Sequence, residues 1–399
     1  MRSTQRLLLG FAFSLATASP GFAASPTVTV EAGNFDRRQT VVSFDLPAGV
    51  QASHLQGPRN QLLPVQTDGS RASVVVPQLA KGARVTYQLV TKTGKEQGEV
   101  SLRRDEKKLK VASGNRPLLE YQAEPGDFPR ADIKDLFRRG GYIHPILSPS
   151  GKMVTDDFPP NHIHHHGIWW AWTKTEFDGR EPDFWNMGDG KGRVDFVGVD
   201  RSWSGPVDAG FIARNRFVDL TKKEPIVVLN EVWDVRVYNT VDAKRGWMFD
   251  LTSTQECATD KPLKLPEYRY GGIGLRGNRA WNGKENAHFL TSEGISDRIK
   301  GHATKARWCD MSGDVDGARA GIAVLGHPEN FRAPEPMRIH PDEPFFNFAP
   351  MQAGDMSIEP GKKYVWRYRF VVHDGAPDPK ALDAAWNDFA NPPKITVSQ

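Results

Sequence analysis

The residues of this chain best suited to chemistry lie in one run, Asn161-His162-Ile163-His164-His165-His166-Gly167-Ile168-Trp169-Trp170-Ala171-Trp172, which holds four of the eleven histidines and three of the eleven tryptophans. Imidazole titrates nearest neutrality and ligates metals readily, while indole offers a flat apolar face with one donor, suited to stacking on a sugar ring. In an extended chain His162, His164 and His166 would share one side, with His165 and Asn161 opposite. Three histidines on one face can build an open zinc or copper site. The same imidazoles can instead hydrogen-bond in a polar pocket without metal, or stand solvated. The spacing leaves these readings open, because ligand geometry is fixed only by patterns such as the helical His-Glu-x-x-His. Alternation puts Trp170 and Trp172 opposite Trp169, and these rings, with Phe184 and Trp185, can line a carbohydrate cleft or fill the core.

Carboxylates would supply the partner. Asp183 follows the aromatic run, in Glu181-Pro182-Asp183-Phe184-Trp185. Glu231 lies in Ile226 to Val237, where the two-residue period points it the same way as Leu229, Trp233, Val235 and Val237. A carboxylate on an apolar face is costly unless paired or used, and one beside a histidine forms a general acid/base pair. Asp342 and Glu343 sit in the proline-bounded loop His340 to Asn347. A structural salt bridge or a solvated loop is the plain alternative for each. Cationic candidates are Arg139, His144, Arg276, Arg307 and Arg338, arginine being shaped to fork onto a carboxylate such as that of a uronic acid. The catalytic candidates are thus His162, His164, His165, His166, Glu231 and Asp183. The substrate-binding candidates are Asn161, Trp170, Trp172, Trp185, Arg139, His144, Arg276 and Arg338, and a divalent metal would sit on His162, His164 and His166.

These residues need a scaffold. Proline and glycine are abundant, heptads are absent, and apolar residues alternate over short runs, which predicts an all-β chain. Runs such as Thr27 to Glu31, Val41 to Leu46, Ala72 to Val76 and Val85 to Val90 predict an N-terminal β-sandwich over residues 24–105. A larger β unit over 106–378 carries the motifs, with Tyr364, Trp366, Tyr368 and Phe370 on one face of a late strand. Helical signal is confined to Arg130 to Phe137 and Pro379 to Phe389; a C-terminal helix and tail occupy 379–399, frayed from Ala390 onward. Gly271 to Gly277 and Gly188 to Gly192 open no βαβ helix, which excludes a nucleotide fingerprint.

Residues 1–23 read as a secretory signal: Arg2 and Arg6, an apolar stretch from Leu7 to Phe13, and small residues ending at Ala23. Its removal takes two arginines and no acid, lowering the formal charge from +4 to +2. That balance excludes a nucleic-acid binder. No later segment reaches membrane-spanning length, so an exported protein, periplasmic or extracellular, is expected. Cys257 and Cys309 could bridge in an oxidising compartment.

Pro160 to Trp170, Asp183-Phe184-Trp185, Ala306 to Gly313 and Gly326-His327-Pro328-Glu329-Asn330 together resemble a family of exported bacterial proteins of unknown function called PmoA-like, over roughly Leu119 to Gly375. Where that family commonly has an arginine after its paired histidines, this chain has Gly167. The order of histidine-rich segment, aromatics, and then Pro341 to Asn347 and Ile358 to Tyr364 is similar to that of galactose-mutarotase-like supersandwiches such as the aldose 1-epimerases. That resemblance implies a large antiparallel β-supersandwich using histidines and a late glutamate on a concave face for acid/base work at a pyranose. The function expected is a carbohydrate-active enzyme that cleaves or isomerises a glycoside, with a metal-dependent enzyme and a non-catalytic sugar binder as alternatives.

Overall fold

A computed structural model of the protein describes residues 26–92, 98–240 and 246–398. The expected leader lies outside the described residues. Half of the structure is strand, and the fold is all-β. Alternation works as the side-chain period requires: strand Ile226–Tyr238 buries Leu229, Glu231, Trp233, Val235 and Val237 together.

Among the described residues two antiparallel eight-stranded sheets dominate. The front sheet runs, in spatial order, Met337–Ile339, Phe345–Phe348, Gly272–Arg276, Ile168–Ala171, Tyr142–Ile146, Arg116–Gln122, Lys108–Ser113 and Val100–Asp105. The back sheet runs Gly192–Trp203, Asp208–Asp219, Ile226–Tyr238, Trp247–Cys257, Tyr364–Asp374, Ala318–Gly326, Trp308–Val315 and Ala287–Thr291. The hydrophobic core lies between them. Trp170 and Trp172 point into it, their rings 5.4 Å and 5.6 Å from that of Trp366, and Trp172 Nε1 donates to Gln255 Oε1 at 2.8 Å. Neither is a sugar platform. Each indole closes the gap between sheets, burying an area only a large aromatic can supply. Trp169, one residue out of phase, faces the opposite side.

The N-terminal strands form a five-stranded and a three-stranded sheet around Val28, Val30, Val42, Phe44, Val74, Val76 and Leu89. The expected sandwich is there, but its limits differ. Strand Val100–Asp105 pairs with Lys108–Ser113 in the front sheet, so the expected break after residue 105 falls inside a hairpin of the larger unit. The expected frayed tail is a strand: Lys394–Ser398 pairs antiparallel with Thr27–Glu31, and the alternation of Ile395 and Val397 lays both against the N-terminal core.

Helix Pro379–Ala390 packs Leu382 against Trp308, Ala323 and Leu325 on the outside of the back sheet, where it was expected. Arg130 to Phe137 holds only one helical turn, Asp135–Phe137; Ile133 alone is buried there, too little apolar surface to sustain a short helix. Both cysteines are free. Two strands separate theirs in the back sheet, a lateral gap of about 14 Å at strand spacing, twice the roughly 7 Å that a disulfide spans. Among the described residues no helix is long and apolar enough to cross a membrane.

Candidate active site

Pro159 and Pro160 deny the histidine run the ladder hydrogen bonds of a strand. It folds instead as successive turns, His162 N donating to Pro159 O at 3.0 Å and His165 N to His162 O at 2.8 Å, and strand begins only at Ile168. Gly167 is required: a Cβ there would overlap the carbonyl of Ile143, so glycine alone lets the turn settle on strand Tyr142–Ile146. With strand alternation lost, the four imidazoles sort differently from expectation. His162, His164 and His165 face one recess on the outer side of the front sheet, while His166 turns the other way.

That recess, about 110 Å³, is walled by His162, His164, His165, Trp185, Asn186, Arg269, Tyr270, Arg338, His340 and Phe345. His165 stacks on His162 at 4.7 Å and lies 4.8 Å from Phe345 and 4.9 Å from Trp169. The outward-facing indole of Trp169 is thus the floor on which the turn rests. His162 Nδ1 sits 2.9 Å from Glu343 Oε2. Glu343 also accepts from Arg276 Nη1 at 2.6 Å and Asn161 Nδ2 at 2.9 Å. Burial opposes its ionisation, but His162 and Arg276 outweigh that and bring the carboxyl down to about 2. Burial, reinforced by neighbouring cationic groups, lowers His164 to about 3 and drives His165 well below the usual imidazole range. Burial likewise brings His340 to about 4. At neutral pH the recess therefore presents uncharged imidazoles, one histidine held by an ionised glutamate, and two arginines. Neither Arg269 nor Arg338 has a carboxylate within ion-pair reach among the described residues.

Arg276, expected to fork onto substrate, is fully buried and forks inward, its Nη2 donating to Asn282 Oδ1 at 2.7 Å and Asn161 Oδ1 at 3.1 Å. It and Asn161 hold Glu343 rather than a ligand. Asp183 lies apart from the histidines. Its Oδ1 accepts from the backbone N–H groups of Trp185 and Asn186, and its Oδ2 from Thr173 Oγ1 and Asn186 Nδ2. It staples the turn that presents Trp185 and Asn186 to the recess, and all its acceptor capacity is engaged. Glu231 is sealed between the sheets, accepting from Ser253 Oγ at 2.6 Å, Gln255 Nε2 at 2.8 Å and Asn215 Nδ2 at 3.3 Å. Burial raises its pKa. A carboxylate pointing into the core is paired there, with no histidine beside it.

His166 Nδ1 lies 2.6 Å from Asp157 Oδ1, and its ring stacks on Tyr142 at 4.2 Å. It therefore cannot share a metal with His162 and His164, and among the described residues no group of three or more His, Cys, Asp or Glu is set to hold a metal ion. The expected His162, His164 and His166 set does not fit one. Tyr142 and Asp157 belong to a second, larger cleft on the far side of the turn, which also takes in Arg139 and His144.

Seven of the residues that matter at the recess, His162, His164, His165, Asn161, Trp185, Arg276 and Arg338, stand out in the sequence as site candidates. Glu343 stands out only as a loop carboxylate, and nothing in the sequence joins it to His162. Missed were Asn186, Arg269, Tyr270, His340 and Phe345. The signal lay in Arg269-Tyr270, just ahead of the glycine run and of strand Gly272–Arg276, which neighbours Ile168–Ala171, and in His340, which opens the proline-bounded loop between the next two strands, Phe345–Phe348 and Met337–Ile339.

Residues 108–387 match a protein family described as a family of unknown function, DUF6807. The chain belongs to that family. No curated protein matches it. Among solved structures, a protein in the glycosyl hydrolase family 38 from Enterococcus faecalis is similar at 8% identity and a TM-score of 0.43, over 95% of this chain and 48% of its own, so this chain spans about half that protein's length. A galactose mutarotase related enzyme from Lactobacillus acidophilus is similar at 10% identity and a TM-score of 0.24, over 69% of this chain and 97% of its own. Likeness this distant assigns neither activity nor substrate.

Proposed function

We propose that this DUF6807 protein is an exported carbohydrate-active enzyme that draws a proton from a carboxylated sugar, with His162 as the base. One observation carries the reading: two arginines without carboxylate partners, Arg269 and Arg338, open onto the same small recess as a histidine held by an ionised glutamate. Anions are recognised by arginine forks, and a hydrogen α to a carboxylate becomes removable only when the charge building on that group is stabilised where it forms. Arg269 and Arg338 supply that stabilisation. His162 takes the proton, and the Glu343 carboxylate, 2.9 Å from its Nδ1, stabilises the imidazolium. Tyr270, partly exposed, offers the stacking surface that a sugar ring needs, backed by the buried Trp185 and Phe345. The recess, at about 110 Å³, lies below the roughly 300–1,000 Å³ of ordinary small-molecule sites, so it admits the carboxylate edge of the sugar and leaves the rest outside.

The test is hydrogen exchange. The methyl glycosides of D-galacturonate and D-glucuronate, incubated with the protein in D2O and followed by proton NMR, should lose the signal of the hydrogen next to the carboxylate. A C4–C5 double bond in the product, formed as the C4 hydroxyl leaves as water, would identify elimination, and an altered configuration at C5 would identify epimerisation. His162→Gln should stop the exchange. Retention of that hydrogen in both sugars after prolonged incubation would sink the reading.

A further inference from the structure

The larger cleft has no role in the chemistry above. It measures about 840 Å³ and runs along the outer side of the front sheet, beside the histidine turn. Its walls include Gln122, Phe128, Tyr142, His144, Asn278 and Arg139. Nearly all the fixed charge around it is matched. Arg279 pairs with Asp156 at 2.8 Å, Arg138 with Asp135 at 2.7 Å, Lys108 with Glu120 at 3.3 Å, and Lys110 with Asp105. Asp157 takes His166 and the Tyr142 hydroxyl. Glu106 and Asp127 stand exposed at the rim, as does Lys107.

Arg139 differs. Only 4% of it is exposed, its Nε donates to Gly140 O at 3.2 Å, and its Nη2 is buried with no hydrogen-bond partner among the described residues. No carboxylate lies within ion-pair reach of it among the described residues. Glu231, the buried carboxyl that acts on it electrostatically, is engaged by Ser253, Gln255 and Asn215. Burial lowers its pKa to about 10, which leaves the guanidinium charged at neutral pH. A buried, unmatched cation is costly to maintain, and here it borders a cavity large enough for a ligand.

We infer that this cleft binds the neighbouring residues of an acidic oligosaccharide, with Arg139 receiving the carboxylate of one of them. The inference rests on the reading above for the sugar in the histidine recess and extends it: the substrate is a chain, not a monosaccharide. The cleft volume falls within the range that encloses a ligand of several rings, and its polar wall suits hydroxyl groups. His144 has Nδ1 3.0 Å from Thr155 Oγ1, leaving Nε2 for a ligand. Phe128, with Arg138 stacked over it at 4.3 Å, gives an apolar face.

Calorimetric titration of the full chain with D-galacturonate and with tetragalacturonate tests this. The tetramer should bind at least about tenfold more tightly than the monomer, the gain of one charge-assisted contact. Arg139→Gln should remove that gain while changing monomer affinity less than about twofold. Arg139 is buried and its loss could unfold the protein, so Gly126→Trp gives an independent route. A side chain at Gly126, which lines the cleft, meets nothing within 4 Å, and the indole would obstruct the cleft and abolish the tetramer's advantage. Equal affinity for tetramer and monomer in the wild type, or an undiminished tetramer advantage in either folded variant, would overturn the cleft assignment and leave the recess untouched. Monomer binding that is indifferent to Arg338→Ala would overturn the recess reading instead. Failure of both sugars to bind would overturn both.

Discussion

At the scale of single residues, Glu343 joins stability to function. Among the described residues it is the only carboxylate on fully buried Arg276 and on His162, so Glu343→Gln leaves a buried guanidinium unmatched at a cost of about 3 kcal/mol, readable as a lowered urea midpoint. The same substitution should slow any turnover more than it weakens binding, because the imidazolium formed on His162 loses its countercharge. The recess also sets an acid limit. An unfolded chain protonates its histidines near 6.5, but folded His164 and His340 resist protonation until about 3 and about 4. Below about 6.5 the unfolded state therefore binds more protons and stability falls with pH. Glu343, held at about 2, adds to the loss as pH drops below its ordinary value near 4.5. His164→Gln should flatten the stability curve between about pH 4 and 6 by up to about 1.4 kcal/mol per unit. An unchanged slope in chemical denaturation would show that His164 titrates normally.

At the scale of elements, the turns decide what the recess presents. Asp183 caps two backbone N–H groups, those of Trp185 and Asn186, much as an N-cap residue does. Asp183→Ala should cost about 1–2 kcal/mol and weaken ligand binding through Trp185 while leaving the His162 dyad intact. Asp183→Asn, which keeps one acceptor oxygen, should recover part of that loss. This is also where the sequence was readable and where it was not. Strand faces were legible because a period of two leaves few choices, which is why Glu231 was rightly placed among Leu229, Trp233 and Val235. The partners of Glu231 were not legible, since Ser253 and Gln255 come from the next strand and register is a long-range property. His166 was misplaced because strand alternation was applied to a segment that Pro159 and Pro160 had already turned. The pairing of His162 with Glu343, distant in sequence, depends on two loops meeting over the front sheet.

At the scale of the whole molecule, the C-terminal segment closes the chain on itself. Arg37, in an N-terminal strand, donates to Asp388 of helix Pro379–Ala390 at 2.9 Å, and Thr40 donates to its other oxygen at 2.7 Å. Beyond that helix, Lys394–Ser398 completes the sheet that holds Thr27–Glu31. A second tie comes from Gln66, whose side chain bonds the backbone at Val207 and Asp208. The N-terminal sandwich is small, and domains of that size bury too little apolar surface to be stable with much in reserve. It borrows from the large unit both an edge strand and a buried ion pair, so the two should unfold as one. Deleting residues 392–399 uncovers the backbone of Thr27–Glu31 and the apolar side chains that Ile395 and Val397 cover, while Asp388→Asn leaves buried Arg37 without its charge partner, at about 3 kcal/mol. Calorimetry of the intact protein should give one transition, and the doubly altered chain should give two, with the N-terminal sandwich melting first. A single transition in that variant would mean that the remaining ties, the Gln66 contacts and the Asp68–Arg201 pair, suffice to couple the units.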